Sequence, residues 1–126
     1  MSLDSAIFET LGQFAGLADL VGVRIYPDQA PQETAKPYVV WQEISGGPVN
    51  DLGGSASSSS LEMFRVQVTS WALTRNAAIT VRAQVRLAME AATQFKSNVM
   101  DMRSLGKDAE TKLNGAQVDF SVQLNT

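Results

Sequence analysis

The chain has 126 residues, ten Lys or Arg against thirteen Asp or Glu, a net charge of −3, and neither cysteine nor histidine. That length suits one domain over residues 1–126, able to bury about two thirds of the unfolded chain's surface without a covalent staple. The missing cysteines exclude disulfides, and the missing histidines remove the commonest general base and the commonest metal ligand.

The charge is unevenly spread. Residues 1–64 carry eight acids and two bases, a net −6; residues 65–103 carry six bases and two acids, a net +4; residues 104–126 sum to −1. One reading is a solvated surface with chance clustering. The other is a polarised subunit whose acidic side meets a neighbour's basic side. No apolar run approaches the roughly 20 residues that span a bilayer, so no membrane contact is expected. The first five residues lack a basic region and include Asp4, so no signal peptide is expected, and synthesis in the cytosol is the default.

In chain order, residues 2–20 read as one helix, with Leu3, Ile7, Leu11, Phe14 and Ala18 on one face, Ser2 or Asp4 as cap and Gly22 as stop. Residues 23–26 form a brief β-branched run ended by Pro27. The polar stretch 28–36 is a loop, and Pro37 opens a strong strand at 38–44.

Residues 46–60, GGPVNDLGGSASSSS, form a Gly/Ser-rich connection with Val49 and Leu52 as its sizeable apolar residues. A loop this long is expected to be flexible, with contacts made on assembly. The next strand, Leu61–Ala72, has twelve residues and would span about 40 Å, so part of it is expected to overhang the core as a projecting hairpin arm.

Thr74 is a good cap for a helix over 75–93. Its main apolar face holds Ala78, Val81, Val85, Ala88, Met89 and Ala92. Ile79, Ala83 and Leu87 lie away from that face, with Arg75, Arg82 and Arg86 between the two. A helix apolar on two sides is buried more fully than a surface helix, or is covered by another subunit. Residues 98–104 are a weak strand, and 105–114 are turn-like. Residues 116–124 close the chain in strict alternation, with Ala116, Val118, Phe120, Val122 and Leu124 inward and Gln117, Asp119, Ser121 and Gln123 outward.

The expected fold is therefore α+β: a largely antiparallel four- to five-stranded sheet with two helices packed on one face, in the order α-β-β-β-α-(β)-β.

A catalytic site is not evident. Without His, a Ser–Lys pair remains formally open at Ser104 and Lys107, but both sit in a polar turn. Asp101, Asp108 and Glu110 are scattered acids without a calcium-loop pattern, so no metal is expected. The paired glycines open no helix in a phosphate-cradling motif, so no nucleotide or other cofactor is expected. The arginine stripe of the second long helix is the only basic footprint, in a net acidic chain, which argues against direct DNA binding. Trp41 and Trp71 fall in strands, where packing is favoured over base stacking.

The runs LVGVRIYP (20–27), APQ (30–32), KPYVVWQEISG (36–46), FRVQV (64–68), SWA (70–72) and VDFSV (118–122) come in an order and spacing that resembles the tail-completion, or tail-terminator, family of long-tailed phages and prophages. The resemblance runs from about residue 3 to 124; it rests on the ordered set, and residues 53–60 and 98–114 depart from it. It implies a non-enzymatic virion protein of the tail and neck, assembled in the bacterial cytoplasm. As a ring, commonly of six subunits, it would cap the tail tube and join it to head-completion or connector proteins, and DNA would only pass through the ring.

The residues suit a ring, because a head-to-tail contact needs two different complementary patches. The expected interface residues are Val49, Asp51 and Leu52 in the loop, and Ile79, Arg82, Arg86 and Leu87 on the helix. Three other readings are open: a different connector or minor tail protein, a cytosolic small-ligand module, which would need a convergent polar pocket, and a small hydrolase, which would need a base.

Overall fold

The structure, a computed structural model, describes residues 2–48 and 61–125. Ser2 caps α1 (Leu3–Gly12), its side chain accepting a hydrogen bond from the Ser5 amide at 3.2 Å. The single helix expected over 2–20 is in fact two. The chain turns out of helical geometry at Phe14 and re-enters as α2 (Ala15–Val21). Glycines at 12 and 16 weaken the helix on either side of that turn. The far end of the Gln84 side chain rests against Gly16, where a Cβ would displace it. Gly22 ends α2 with φ 59°, the left-handed stop expected of it.

Five strands follow: β1 (Ile25–Pro27), β2 (Tyr38–Pro48), β3 (Leu61–Ala72), and, after α3 (Arg75–Glu90), β4 (Phe95–Lys107) and β5 (Asn114–Asn125). They form one sheet in the order β1-β2-β3-β5-β4. β1 lies parallel to β2, and every other pair is antiparallel. The α+β architecture and the mostly antiparallel sheet are as expected, with three helices in place of two.

Three further boundaries differ from expectation, each for a physical reason. β2 runs through Gly46 and Gly47 to Pro48, into what reads as loop. Gly46 sits opposite Phe64, and a Cβ there would lie 2.5 Å from that ring, so the glycine marks a close approach inside a strand. Residues 49–60, with the expected flexibility of that loop, lie outside the described residues.

β4 is longer than the expected 98–104. Two irregularities, between Val99 and Asp101 and between Ser104 and Gly106, break its alternation and hid it from a period-two reading. β3 has the expected limits, but it does not overhang the core with β2 alone. β5 flanks it from Leu61↔Asn125 to Ala72↔Asn114.

The helices cover one face of the sheet. Ala6, Ile7 and Leu11 from α1, Leu17 and Val21 from α2, and Val81, Val85, Ala88 and Met89 from α3 are buried against the strands. The strands supply Val39, Trp41, Val66, Val68, Val118, Phe120, Val122 and Leu124. The inward set expected of the closing strand is buried in full. Its outward set is not simply solvated, because Gln117 and Asp119 are also buried, on the sheet's other face.

Candidate assembly surfaces

The first surface is the outer side of α3. Thr74 starts the helix as expected, its hydroxyl accepting from the Ala77 amide at 3.1 Å. The inner stripe fixes the rotation of the helix, and that rotation turns Leu87 outward, 48% exposed. Ile79 is half-buried, resting on a small cluster of Ala72, Ala78 and Ala116. Arg82 donates to the Arg103 carbonyl of β4 at 3.1 Å, and Arg86 pairs with Glu90 at 2.9 Å.

The structure thus brings Ile79, Arg82, Arg86 and Leu87 around one shallow groove of about 430 Å³, completed by Met102. Met102 was not legible as a groove residue. The irregularity after Val99 shifts the strand's phase and sets Met102 opposite the inward Val118. The chemistry on offer is an apolar strip rimmed by two arginines and by Glu90, which pairs with one of them. Val49, Asp51 and Leu52, the other expected interface residues, lie outside the described residues.

The second surface is the sheet face away from the helices. Asp119 is 1% exposed there, and its Oδ2 accepts from Arg65 at 2.8 Å and from Arg103 at 3.2 Å. Arg103 also donates to Asp101 at 2.9 Å and to Gln117 at 2.6 Å, and Gln117 donates to the Thr69 hydroxyl at 2.9 Å. Asp101 and Asp119 are register partners, a like-charge pair that Arg103 bridges. Sequence reading missed this network because its members come from three strands and meet only once the register is set.

At one end of the same face the loop after β1 and the turn between β4 and β5 wall a groove of about 520 Å³. Tyr38, Val40, Trp71 and Leu113 supply apolar surface to it, and Asp28, Glu33, Lys36 and Asp108 supply charge. Trp71 sits opposite Gly115, where a Cβ would lie 2.8 Å from the indole ring. The turn is pinned by the Asp108 amide to the Leu113 carbonyl at 2.8 Å and by the Glu110 amide to the Asp108 carboxylate at 2.9 Å. Burial, and secondarily the Asp108 charge, push the Tyr38 phenol above its ordinary pKa of 10.0.

Neither groove holds a nucleophile beside a base. Ser104 lies opposite Ala116 and Lys107 opposite Asn114, both on β4 rather than in the turn where they were expected. Asp101 is tied to Arg103, away from the turn that holds Asp108 and Glu110. Among the described residues no three acids gather in a way that could hold a metal ion.

The fold and sequence have clear counterparts. A chain of the "virion of native gene transfer agent (GTA) particle" superposes with a TM-score of 0.75 at 16% identity, over 99% of this chain and 96% of that one; at that identity the likeness speaks to the fold. Two structures from Akkermansia muciniphila overlap only loosely. One has a TM-score of 0.40 at 8% identity over 68% of this chain and 42% of that one. The other, solved without its transmembrane region, has a TM-score of 0.35 at 8% identity over 68% and 44%. No curated protein matches the sequence. The family model described as "Tail completion protein gp17" matches residues 5–124, nearly the whole chain. The chain therefore belongs to the tail completion protein gp17 family, whose members are structural, non-enzymatic proteins of phage-like virions.

Proposed function

We propose that the chain works as one domain that caps the end of a phage tail tube as a homo-oligomeric ring, commonly of six copies, and presents a surface to the head-completion or connector proteins. In this reading the ring sits in the neck of the virion after assembly in the bacterial cytoplasm, and DNA only passes through it. Family membership supports the tail-end role. The outer side of α3 carries the case for a ring: an exposed Leu87 and a half-buried Ile79 beside Arg82, Arg86 and Met102 form a strip that a neighbouring subunit can bury. A single exposed Leu needs no explanation, but an apolar strip rimmed by guanidinium groups is the composition of an interface centre.

The test mixes the protein with assembled tail tubes and reads capping by electron microscopy and co-sedimentation. The protein is expected on one end of each tube, as a ring. A wild-type protein that never binds tube ends or neck components would refute the reading. Binding to a neck component alone would favour a different connector.

A further inference from the structure

We infer that the groove between the 28–36 loop and the 108–113 turn is the seat of a second copy of this chain, entered by the outer ridge of that copy's α3. The inference rests on the ring reading above and names the surface that a neighbour's helix meets.

A ring built head to tail needs two different surfaces on every subunit. The outer side of α3 is one of them, where the half-exposed Leu87 stands beside Arg82 and Arg86 on the helix wall of the shallow groove shared with Met102. The groove has the complementary composition. Its floor is apolar and aromatic, with Tyr38, Val40, Trp71 and Leu113, and its walls carry three acids, Asp28, Glu33 and Asp108, against one base, Lys36. A guanidinium both pairs with carboxylates and stacks on aromatic rings, so arginines flanking a leucine suit carboxylates flanking a tryptophan and a tyrosine. The match also gives the split between an acidic N-terminal half and a basic middle a structural location.

Position favours a link between copies over one within a copy. The groove lies on the open face of the sheet, between the loop that follows β1 and the turn between β4 and β5. The outer side of α3 lies on the covered side, beside β4. The two surfaces of one chain are separated by the sheet and cannot meet, so the helix that enters the groove must belong to another copy.

Backbone geometry adds a third observation. Asp28, Glu33 and Lys112 have φ of 63°, 61° and 62°, and they are the non-glycine residues with left-handed backbone among those described. Asp28 and Glu33 line the groove, and Lys112 belongs to the turn that walls it. Such geometry costs folding energy and concentrates where a surface must hold a set shape.

Two sets of variants test the inference. In the first, Glu33→Lys with Asp108→Lys reverses the groove, and Arg82→Glu with Arg86→Glu reverses the ridge. Each double variant should still unfold cooperatively, at a somewhat lower midpoint, because Asp108→Lys removes the carboxylate that holds the Glu110 amide and the arginine changes remove the bonds to the Arg103 carbonyl and to Glu90. Each should lose self-association by about tenfold or more. Mixing the two should restore assembly, because every contact is then between opposite charges.

The second uses the absence of cysteine. Glu33→Cys combined with Leu87→Cys should give a ladder of disulfide-linked copies under oxidation at high concentration, which neither single variant gives. The ladder is read without tail tubes, so it is separate from capping. A ladder without capping keeps this interface and sinks the tail-end reading. Capping that survives both charge reversals does the opposite. The absence of a ladder with and without tubes, or cross-linking to another virion protein instead, overturns the inference.

Discussion

The two faces of the sheet are buried by different physics. On the covered face, Val118, Phe120, Val122 and Leu124 pack under α3 in one apolar cluster that also holds Ile7 and Leu11 of α1. On the open face, Asp119 is as buried as its neighbours, but arginine side chains arching over it from β3 and β4 do the burying. The first arrangement is non-directional and scales with area. The second is directional and fails if one partner is lost. Folding is driven from the covered face, while the open face and the outer side of α3 keep the charged and aromatic groups that a partner can read.

That contrast can be broken most severely at β5, which belongs to both faces. Each large inward side chain contributes about 1.5–3 kcal/mol, against a total stability of about 5–15 kcal/mol. Deleting residues 116–126 is expected to leave an unfolded or aggregated chain in circular dichroism. A cooperative melt near that of the full chain would contradict the assignment of β5 to the core.

On the open face, Gly115→Val places methyl groups where the Trp71 ring lies, with an expected loss of about 1–3 kcal/mol by denaturant titration. Asp119→Ala leaves Arg65 and Arg103 without their shared carboxylate. Both arginines are partly solvated, so the expected loss is again about 1–3 kcal/mol, at the lower end. A neutral Asp119→Ala would mean that the network orders the face without stabilising it.

A subtler probe is pH. Because the Tyr38 pKa is raised in the folded state, stability is undiminished below the unfolded value of 10.0 and falls as pH rises through the folded value. Tyr38→Phe should flatten that alkaline slope in melts taken from pH 8 to 11, and an unchanged slope would remove Tyr38 as its source.

The covered face was largely legible in the sequence. Period-two alternation at 116–124 and the stripe from Ala78 to Met89 each describe a single element, and one element's periodicity survives in a linear reading. What was not legible depends on a partner strand. Gly46 reads as loop until Phe64 is placed across from it, and β4 reads as a fragment until its two irregularities are known. The Asp119 network follows the same rule, as does the groove, whose walls come from chain segments some seventy residues apart. The first helix was misjudged for a local reason, since its apolar spacing continues through the turn at Phe14 while its backbone does not.

The smallest expected effect on stability belongs to the residue with the largest expected effect on assembly. Leu87 contributes little to the core, so Leu87→Asp should change stability by no more than about 0.5 kcal/mol. Capping of tail tubes by Leu87→Asp, read by microscopy beside its own thermal melt, is the most direct test of an assembly role for the outer side of α3. The account predicts an unchanged melt and lost ring formation. An unfolded variant, or a folded one that caps tubes as well as the wild type, would contradict it.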